Sequence, residues 1–174
     1  MNLRTPILLI SAALILSGCA SSDTEAEVVA SPAASSAPAL TGTPVSVEVT
    51  GEIEAEPAVA ITPGDPVTEL GITDLIVGEG DKVPAGATVT AQYVGYGAAS
   101  GAMFDASWAR GEPATFPLGQ VILGWQEGLV GMQVGGRRLL VIPAALGYGE
   151  NPPPGSGIQP GETLIFVVDL VSFQ

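Results

Sequence analysis

Histidine is absent from this chain of 174 residues, and cysteine appears once. Without histidine the commonest general base and metal ligand is missing, along with Ser-His-Asp and Cys-His nucleophilic arrangements. One cysteine permits neither an intrachain disulfide nor a cysteine metal cage. Positive charge is scarce: Lys plus Arg is 5 against 18 for Asp plus Glu, a net charge of −13. An acidic chain repels phosphate, which argues against a nucleic-acid partner. Aromatic residues are few at 5%, and all lie between Tyr93 and Phe173. Most familiar hydrolases and metalloenzymes are thereby excluded, and neither a metal nor an organic cofactor is expected. The low charged fraction, 13% against 47% apolar, still points to a folded domain somewhere in the chain.

Residues 1–18 read as an export signal. Arg4 supplies the positive start, and residues 7–16 form an apolar stretch that falls well short of the roughly 20 residues needed to span a bilayer. The stretch ends in Leu16-Ser17-Gly18-Cys19, which resembles the lipobox of bacterial lipoproteins. That resemblance implies that Cys19 is acylated and becomes the mature N-terminus. The competing reading, an ordinary secretory signal, leaves the only cysteine incidental. Two or more acyl chains anchor stably where one binds marginally.

Residues 19–61 read as an acidic disordered tether. They hold Ser, Ala, Thr and Pro in runs such as Ser31-Pro32-Ala33-Ala34-Ser35-Ser36-Ala37-Pro38, and every charge among them is negative. Like-charge repulsion and proline both extend such a segment. Within it, Val45-Ser46-Val47-Glu48-Val49 has the alternation of a short strand.

Residues 62–174 change character, with short apolar runs set between Gly, Pro and Asp clusters, as in a mostly β domain. Candidate strands are Thr68 to Val77, Val89 to Tyr93, Thr115 to Leu118, Arg137 to Ile142 and Leu164 to Leu170. One helical period appears: Trp125, Leu129 and Met132 share a face, while Gly128 and Gly131 shorten the helix and leave it dependent on packing. The expectation is an α+β domain, a sheet wrapping one short helix.

Candidate functional side chains in this domain are Asp105 with Arg110 five residues on, Tyr148 between two glycines, and Trp125 at the head of an apolar strip. Each taken alone reads equally as an ordinary strand-end, loop or core residue. Arg137-Arg138 reads as solvated strand surface.

In order along the chain the segments say more. They are Tyr93-Val94-Gly95, Phe104-Asp105-Ala106-Ser107, Phe116-Pro117-Leu118-Gly119 and Val121-Ile122-Leu123-Gly124-Trp125-Gln126-Glu127-Gly128-Leu129. After these come Met132-Gln133-Val134-Gly135-Gly136-Arg137-Arg138, Ile142-Pro143, Leu146-Gly147-Tyr148-Gly149 and Thr163 to Leu170. The series resembles the FKBP-type peptidyl-prolyl cis-trans isomerases over about Thr68 to Phe173. The resemblance implies a curved antiparallel sheet around one short helix. It also implies a pocket lined by Tyr93, Phe104, Asp105, Val121, Ile122, Trp125, Tyr148, Ile158 and Phe166, with Trp125 as the floor under the substrate proline. The Ile122 N–H and Tyr148 hydroxyl would donate to ligand carbonyls, and Asp105 would be held by Arg110 and Tyr93. Three departures stand out: Ala114 where relatives often carry an aromatic, a Pro-rich loop over residues 150–157 without the histidine of some relatives, and Trp108 as an extra aromatic.

Such a pocket needs no acid, base or nucleophile, because isomerisation breaks no covalent bond. The implied partners are proline-containing polypeptides outside the cytoplasm, the membrane through Cys19, and macrolide inhibitors, with a monomer expected. The alternative is a tethered, non-catalytic binding or chaperone module on the same fold.

Overall fold

The computed structural model describes residues 43–174. The export signal, Cys19 and tether residues 19–42 lie outside the described residues. Eight strands and one helix follow in chain order: β1 Ser46–Thr50, β2 Ala58–Thr62, β3 Gly71–Ile76, β4 Thr88–Gly97, β5 Met103–Ala106, β6 Ala114–Pro117, α1 Leu123–Gly128, β7 Arg137–Ile142 and β8 Leu164–Phe173. The main sheet is antiparallel, in the order β3-β7-β8-β4-β5, and β6 also pairs with β4. β4 is long enough to serve two partners on one edge: its first half pairs with β6 and its second with β5, while β8 runs along its other edge. β5 was not among the expected strands.

The central strands β4, β7 and β8 are buried on both faces. Leu164, Phe166, Val168 and Leu170 of β8 join Val89, Ala91 and Tyr93 of β4 on the inner face, where Trp125, Leu129 and Met132 close the core. Ile165, Val167 and Val94 point the other way into a second cluster. Strands covered on both faces carry unbroken apolar runs, and this explains Leu-Ile-Phe-Val-Val in β8 and Leu-Leu-Val-Ile in β7.

The cover on the outer face corrects the expected tether. Residues 46–62 are a hairpin in which β1 pairs antiparallel with β2, from Ser46–Thr62 to Thr50–Ala58. Val45, Val47, Val49, Val59 and Ile61 pack against the outer cluster, while the residues alternating with them are exposed. Of the glutamates that argue for an extended chain, Glu48 lies on the solvent side of the hairpin and Glu52, Glu54 and Glu56 lie in or beside its turn. The valines opposite them have an apolar surface to bury, at roughly 25 cal/mol per Å². The folded unit therefore begins well before residue 62.

Arg137 and Arg138 are the second correction. They are 1% and 7% exposed, and as neighbours on a strand they point to opposite faces. Arg137 reaches the hairpin side: its Nε and Nη2 each lie 2.6 Å from an Asp169 carboxylate oxygen, and it donates to the carbonyls of Gly51 (3.0 Å) and Ala55 (2.7 Å). Arg138 reaches the helix side. It pairs with Asp74 at 2.6 Å and donates to Gly128 O at 2.7 Å, capping the last turn of α1. Two adjacent arginines thus bind both outer layers to the sheet.

Helix α1 is only six residues long, and no side chain caps its start. Its glycines do more than weaken it. A Cβ on Gly124 would lie 2.4 Å from Ile142 Cγ2, and one on Gly128 would lie 2.7 Å from Leu140 Cδ2. Glycine lets the helix backbone rest directly on β7, which lowers Trp125 to the base of the inner face.

Candidate active site

A cavity of about 310 Å³ opens on the inner face above Trp125. Its walls are Tyr93, Phe104, Asp105, Phe116, Gln120, Val121, Ile122, Trp125, Tyr148 and Phe166. Five of its six aromatic rings pack on one another, and the Trp125 ring centroid is 5.4 Å from those of Tyr93, Phe116 and Phe166 at interplanar angles of 77–89°. Phe104 meets Phe166 at 5.5 Å and 83°. Edge-to-face packing fixes each ring against its neighbours, each pair contributing about 0.5–1.5 kcal/mol beyond its buried area. Strand alternation supplies Tyr93 and Phe166, the short strands β5 and β6 supply Phe104 and Phe116, and the segment entering α1 supplies Val121 and Ile122. Gln126 Nε2 donates to Val121 O at 2.8 Å and holds that entry segment against the helix.

Gly95 makes the cavity possible beneath Phe104 and Phe166. A Cβ there would lie 2.8 Å from both rings. Its strand neighbours are Asp105 on one side and Phe166 on the other.

The polar edge is a closed triad. Tyr93 donates its hydroxyl hydrogen to Asp105 Oδ2, Arg110 Nη1 lies 2.7 Å from Asp105 Oδ1, and Arg110 Nη2 donates to the Tyr93 oxygen at 2.8 Å. Burial acts against the charged form of Asp105, but hydrogen bonds from Tyr93 and Arg110 outweigh it and hold the carboxyl below its usual range. Burial, reinforced by the bond to Asp105, pushes the Tyr93 phenol up to about 12. Burial and the Asp105 charge also raise Tyr148, whose hydroxyl stays neutral and able to donate at the rim. Beneath the triad, fully buried Ser107 accepts from Tyr93 N at 2.8 Å and donates to Gln92 Oε1, pinning the turn that carries Asp105 to β4.

Tyr93, Phe104, Asp105, Val121, Ile122, Trp125, Tyr148 and Phe166 therefore converge as the sequence motifs imply. Arg110 stands beside the cavity, through Asp105 and Tyr93. Ile158 differs: it is 9% exposed and packed in the inner core, outside the residues that line the cavity. Phe116 and Gln120 were missed. Phe116 lies two residues beyond Ala114 on the same face of β6, and the available signals were that alternation and its place in the Phe116-Pro117-Leu118-Gly119 segment. Its ring meets Tyr93 at 5.6 Å and so supplies a wall, while Ala114 packs partly buried against the core. Trp108 does not shade the cavity; it packs against the outer cluster under the hairpin. Among the described residues no group of three or more Cys, Asp or Glu side chains is arranged to hold a metal ion.

The domain model for FKBP-type peptidyl-prolyl cis-trans isomerase matches residues 79–171. The chain belongs to this family, and it is a peptidyl-prolyl cis-trans isomerase. An FK506-binding protein of Streptomyces anulatus is 51% identical over 119 residues, covering 67% of this chain and 96% of that protein. The peptidyl-prolyl cis-trans isomerase Mip of Coxiella burnetii is 45% identical over 98 residues, covering 56% of this chain and 42% of Mip. Among solved structures, FkpA from Escherichia coli superposes with a TM-score of 0.56 at 40% identity, over 62% of this chain and 49% of FkpA. The antiparallel sheet with its single helix is thus the isomerase fold of these relatives. The N-terminal hairpin of this isomerase lies before the matched residues.

Proposed function

We propose that this isomerase rotates Xaa-Pro amides by taking them out of water in the aromatic cavity, and that it does so on exported polypeptides while anchored to a membrane through acylated Cys19. The cavity itself carries the mechanistic reading: five packed rings with no group poised to exchange a proton near neutral pH. The barrier to rotation is about 18–20 kcal/mol, because the twisted amide loses resonance. The planar amide is the more polar form and the better hydrated one. An apolar cage therefore favours the twisted amide over the planar one, and only such differential binding accelerates the step. Each 1.36 kcal/mol of difference is worth about tenfold in rate. Trp125 forms the floor for the proline ring, and Tyr148 and the Ile122 N–H hold the flanking carbonyls. The triad keeps Phe104 and Tyr93 in place without titrating. A macrolide that presents a ring and carbonyls in the same arrangement would compete for the cavity.

The extracytoplasmic, lipid-anchored location rests on the residue 1–18 signal and the position of the only cysteine. The chemistry is tested by isomerisation of a short Xaa-Pro peptide with the full chain and with folded Asp105→Val and Trp125→Ala variants. Desolvation predicts acceleration that falls by at least tenfold in both variants, with a solvent deuterium isotope effect near unity. A large isotope effect would mean proton transfer and would defeat the mechanism. The location is tested by labelling with a palmitate analogue and membrane fractionation of the full chain and of Cys19→Ser. Equal membrane recovery and equal labelling of the two would remove the anchor.

A further inference from the structure

A second cavity, of about 280 Å³ against about 310 Å³ for the first, opens under the hairpin turn. We infer that it is a ligand site separate from the isomerase cavity and that it takes an apolar amine. Gln92 and Asp169 form its floor. They are partners in the β4–β8 register and alternate with Tyr93 and Val168 of the inner face, so the floor lies on the other side of the sheet from Trp125. Ile53 and Glu54 of the hairpin turn make one wall, Trp108 and Pro113 make another, and Val171, 48% exposed, stands at the lip. The two cavities share no lining residue.

The walls are fixed before any ligand arrives. Arg137 donates to Gly51 O at 3.0 Å and to Ala55 O at 2.7 Å, on either side of Ile53 and Glu54. That clamp holds Glu54 in a left-handed backbone, φ 68°, which no other non-glycine residue adopts among the described residues. Trp108 follows Ser107, which is fully buried and bonded both to Tyr93 N and to Gln92, so this wall is tied to the floor. A site already in place needs no ordering when it binds.

The lining selects the ligand. Ile53, Trp108, Pro113, Val134 and Val171 give it a mostly apolar surface. Asp169 gives both carboxylate oxygens to Arg137 at 2.6 Å, and that pair is neutral. Neither lysine nor arginine lines the cavity. The ion pairs among the described residues use Asp74, Asp105 and Asp169, which leaves Glu54 as the one uncompensated charge on these walls. An apolar stem buries against Ile53 and Trp108. An ammonium on that stem meets the Glu54 carboxylate and the indole, the ring a cation favours most. A carboxylate in its place meets repulsion. The matching ligand is an ammonium on a short aliphatic or aromatic stem, carried by a free amine or by a lysine side chain.

Trp108 and Trp125 are the only tryptophans of the chain, and each lines one cavity. Their indole N–H resonances, assigned with Trp108→Phe, therefore report which cavity fills. The full chain is titrated with phenethylamine, phenethyl alcohol and phenylacetate, and with a blocked, proline-free Gly-Phe-Lys-Gly peptide. Phenethylamine is expected to shift Trp108 saturably, with a dissociation constant of roughly millimolar order for so small a ligand, and to leave Trp125 in place. The alcohol should bind about two- to fivefold more weakly, the worth of one exposed ion pair, and phenylacetate more weakly again. Glu54→Gln should bring the amine to the level of the alcohol. Val171→Phe adds a ring at the lip and should abolish the Trp108 response while isomerisation of a neutral Xaa-Pro peptide keeps its parent rate. A response to the peptide as well assigns the site to lysine side chains; a response to the free amine alone assigns it to small amines. No saturable shift of Trp108 with either probe would overturn the inference. So would a shift confined to Trp125, an amine no tighter than phenylacetate, or a response that Glu54→Gln and Val171→Phe leave unchanged.

Discussion

Replacing Arg137 by methionine tests whether the N-terminal hairpin is part of the fold. Arg137 is 1% exposed and makes four donor contacts: two to the Asp169 carboxylate and two to the hairpin carbonyls of Gly51 and Ala55. Methionine matches the length of its stem and removes every donor. Asp169, 5% exposed, then keeps its charge without a partner. Breaking a buried pair from one side costs about 3–5 kcal/mol, most of it the stranded charge. The two turn carbonyls lose their donors as well, but Gly51 and Ala55 are exposed and their carbonyls recover water, so they add little to that cost. The expected destabilisation is about 4 kcal/mol. For a folded unit of this size each kcal/mol lowers Tm by roughly 3–5 °C, so the shift is on the order of 15 °C.

The assay is thermal and urea unfolding of the full chain followed by circular dichroism. Native-state hydrogen exchange would be read separately for residues 46–62 and for β8. Arg137→Met is expected to lower the midpoint by that amount and to release the hairpin amides before those of β8. Adding Asp169→Leu removes the stranded charge and should recover more than half of the loss, leaving only the turn contacts missing. A single variant within about 1 kcal/mol of the parent would refute the reasoning, since no buried pair could then be holding the layers.

Other outcomes follow from the same geometry. Gly95→Val places a branched side chain where even a Cβ would lie 2.8 Å from Phe104 and Phe166. Isomerisation should fall by at least tenfold while the fold, read by circular dichroism, survives. Gly124→Ala lifts α1 off Ile142 and with it Trp125. It should cost about 1–3 kcal/mol in urea unfolding despite alanine's better helix propensity, whereas a stabilising result would mean the close approach is not needed. With Asp105 held below its usual range and both site tyrosines raised, kcat/KM on a neutral peptide should stay flat from about pH 5 to pH 9, and a bell-shaped profile would contradict that. At high pH the sign is set by Tyr93. The unfolded phenol ionises near 10 and the folded one near 12, so its contribution to stability is whole below pH 10 and is lost as pH rises through 12. Urea midpoints of the parent should therefore fall faster over that window than those of Tyr93→Phe, and parallel curves would count against the coupling.

Much of the site was legible through the order of its short motifs, whose resemblance to the isomerase family brings together residues that local rules leave as ordinary strand, loop or core positions. Tyr93 falls on the alternating face of β4, and Trp125 heads the only helical period, with Leu129 and Met132 on the same face. The spacing of Asp105 and Arg110 allowed the ion pair that forms at 2.7 Å. Phe116 was harder, because β6 is four residues long and too short for alternation to stand out. Ile158 went the other way: the motif order placed it near the cavity, but the loop carries it into the core. The hairpin was misread because acid-rich, aromatic-free composition describes its exposed face alone. The corresponding signal lay elsewhere, in β7 and β8, whose unbroken apolar runs require a cover on the second face.

The chain by itself determined that catalysis uses no histidine and no cysteine metal cage, that a sheet and one short helix form, and that its motif series resembles the isomerase family. Those properties are local, set by composition, by strand and helix periods, and by the order of short motifs. Only the tertiary structure decided that Arg137 and Arg138 are buried clamps and that valines within an acidic stretch close the outer face. It also decided that glycines in a weak helix are what seat Trp125. In each case the side chain's surroundings come from residues up to about a hundred positions away, and burial depends on those surroundings rather than on the residue's own neighbours in sequence.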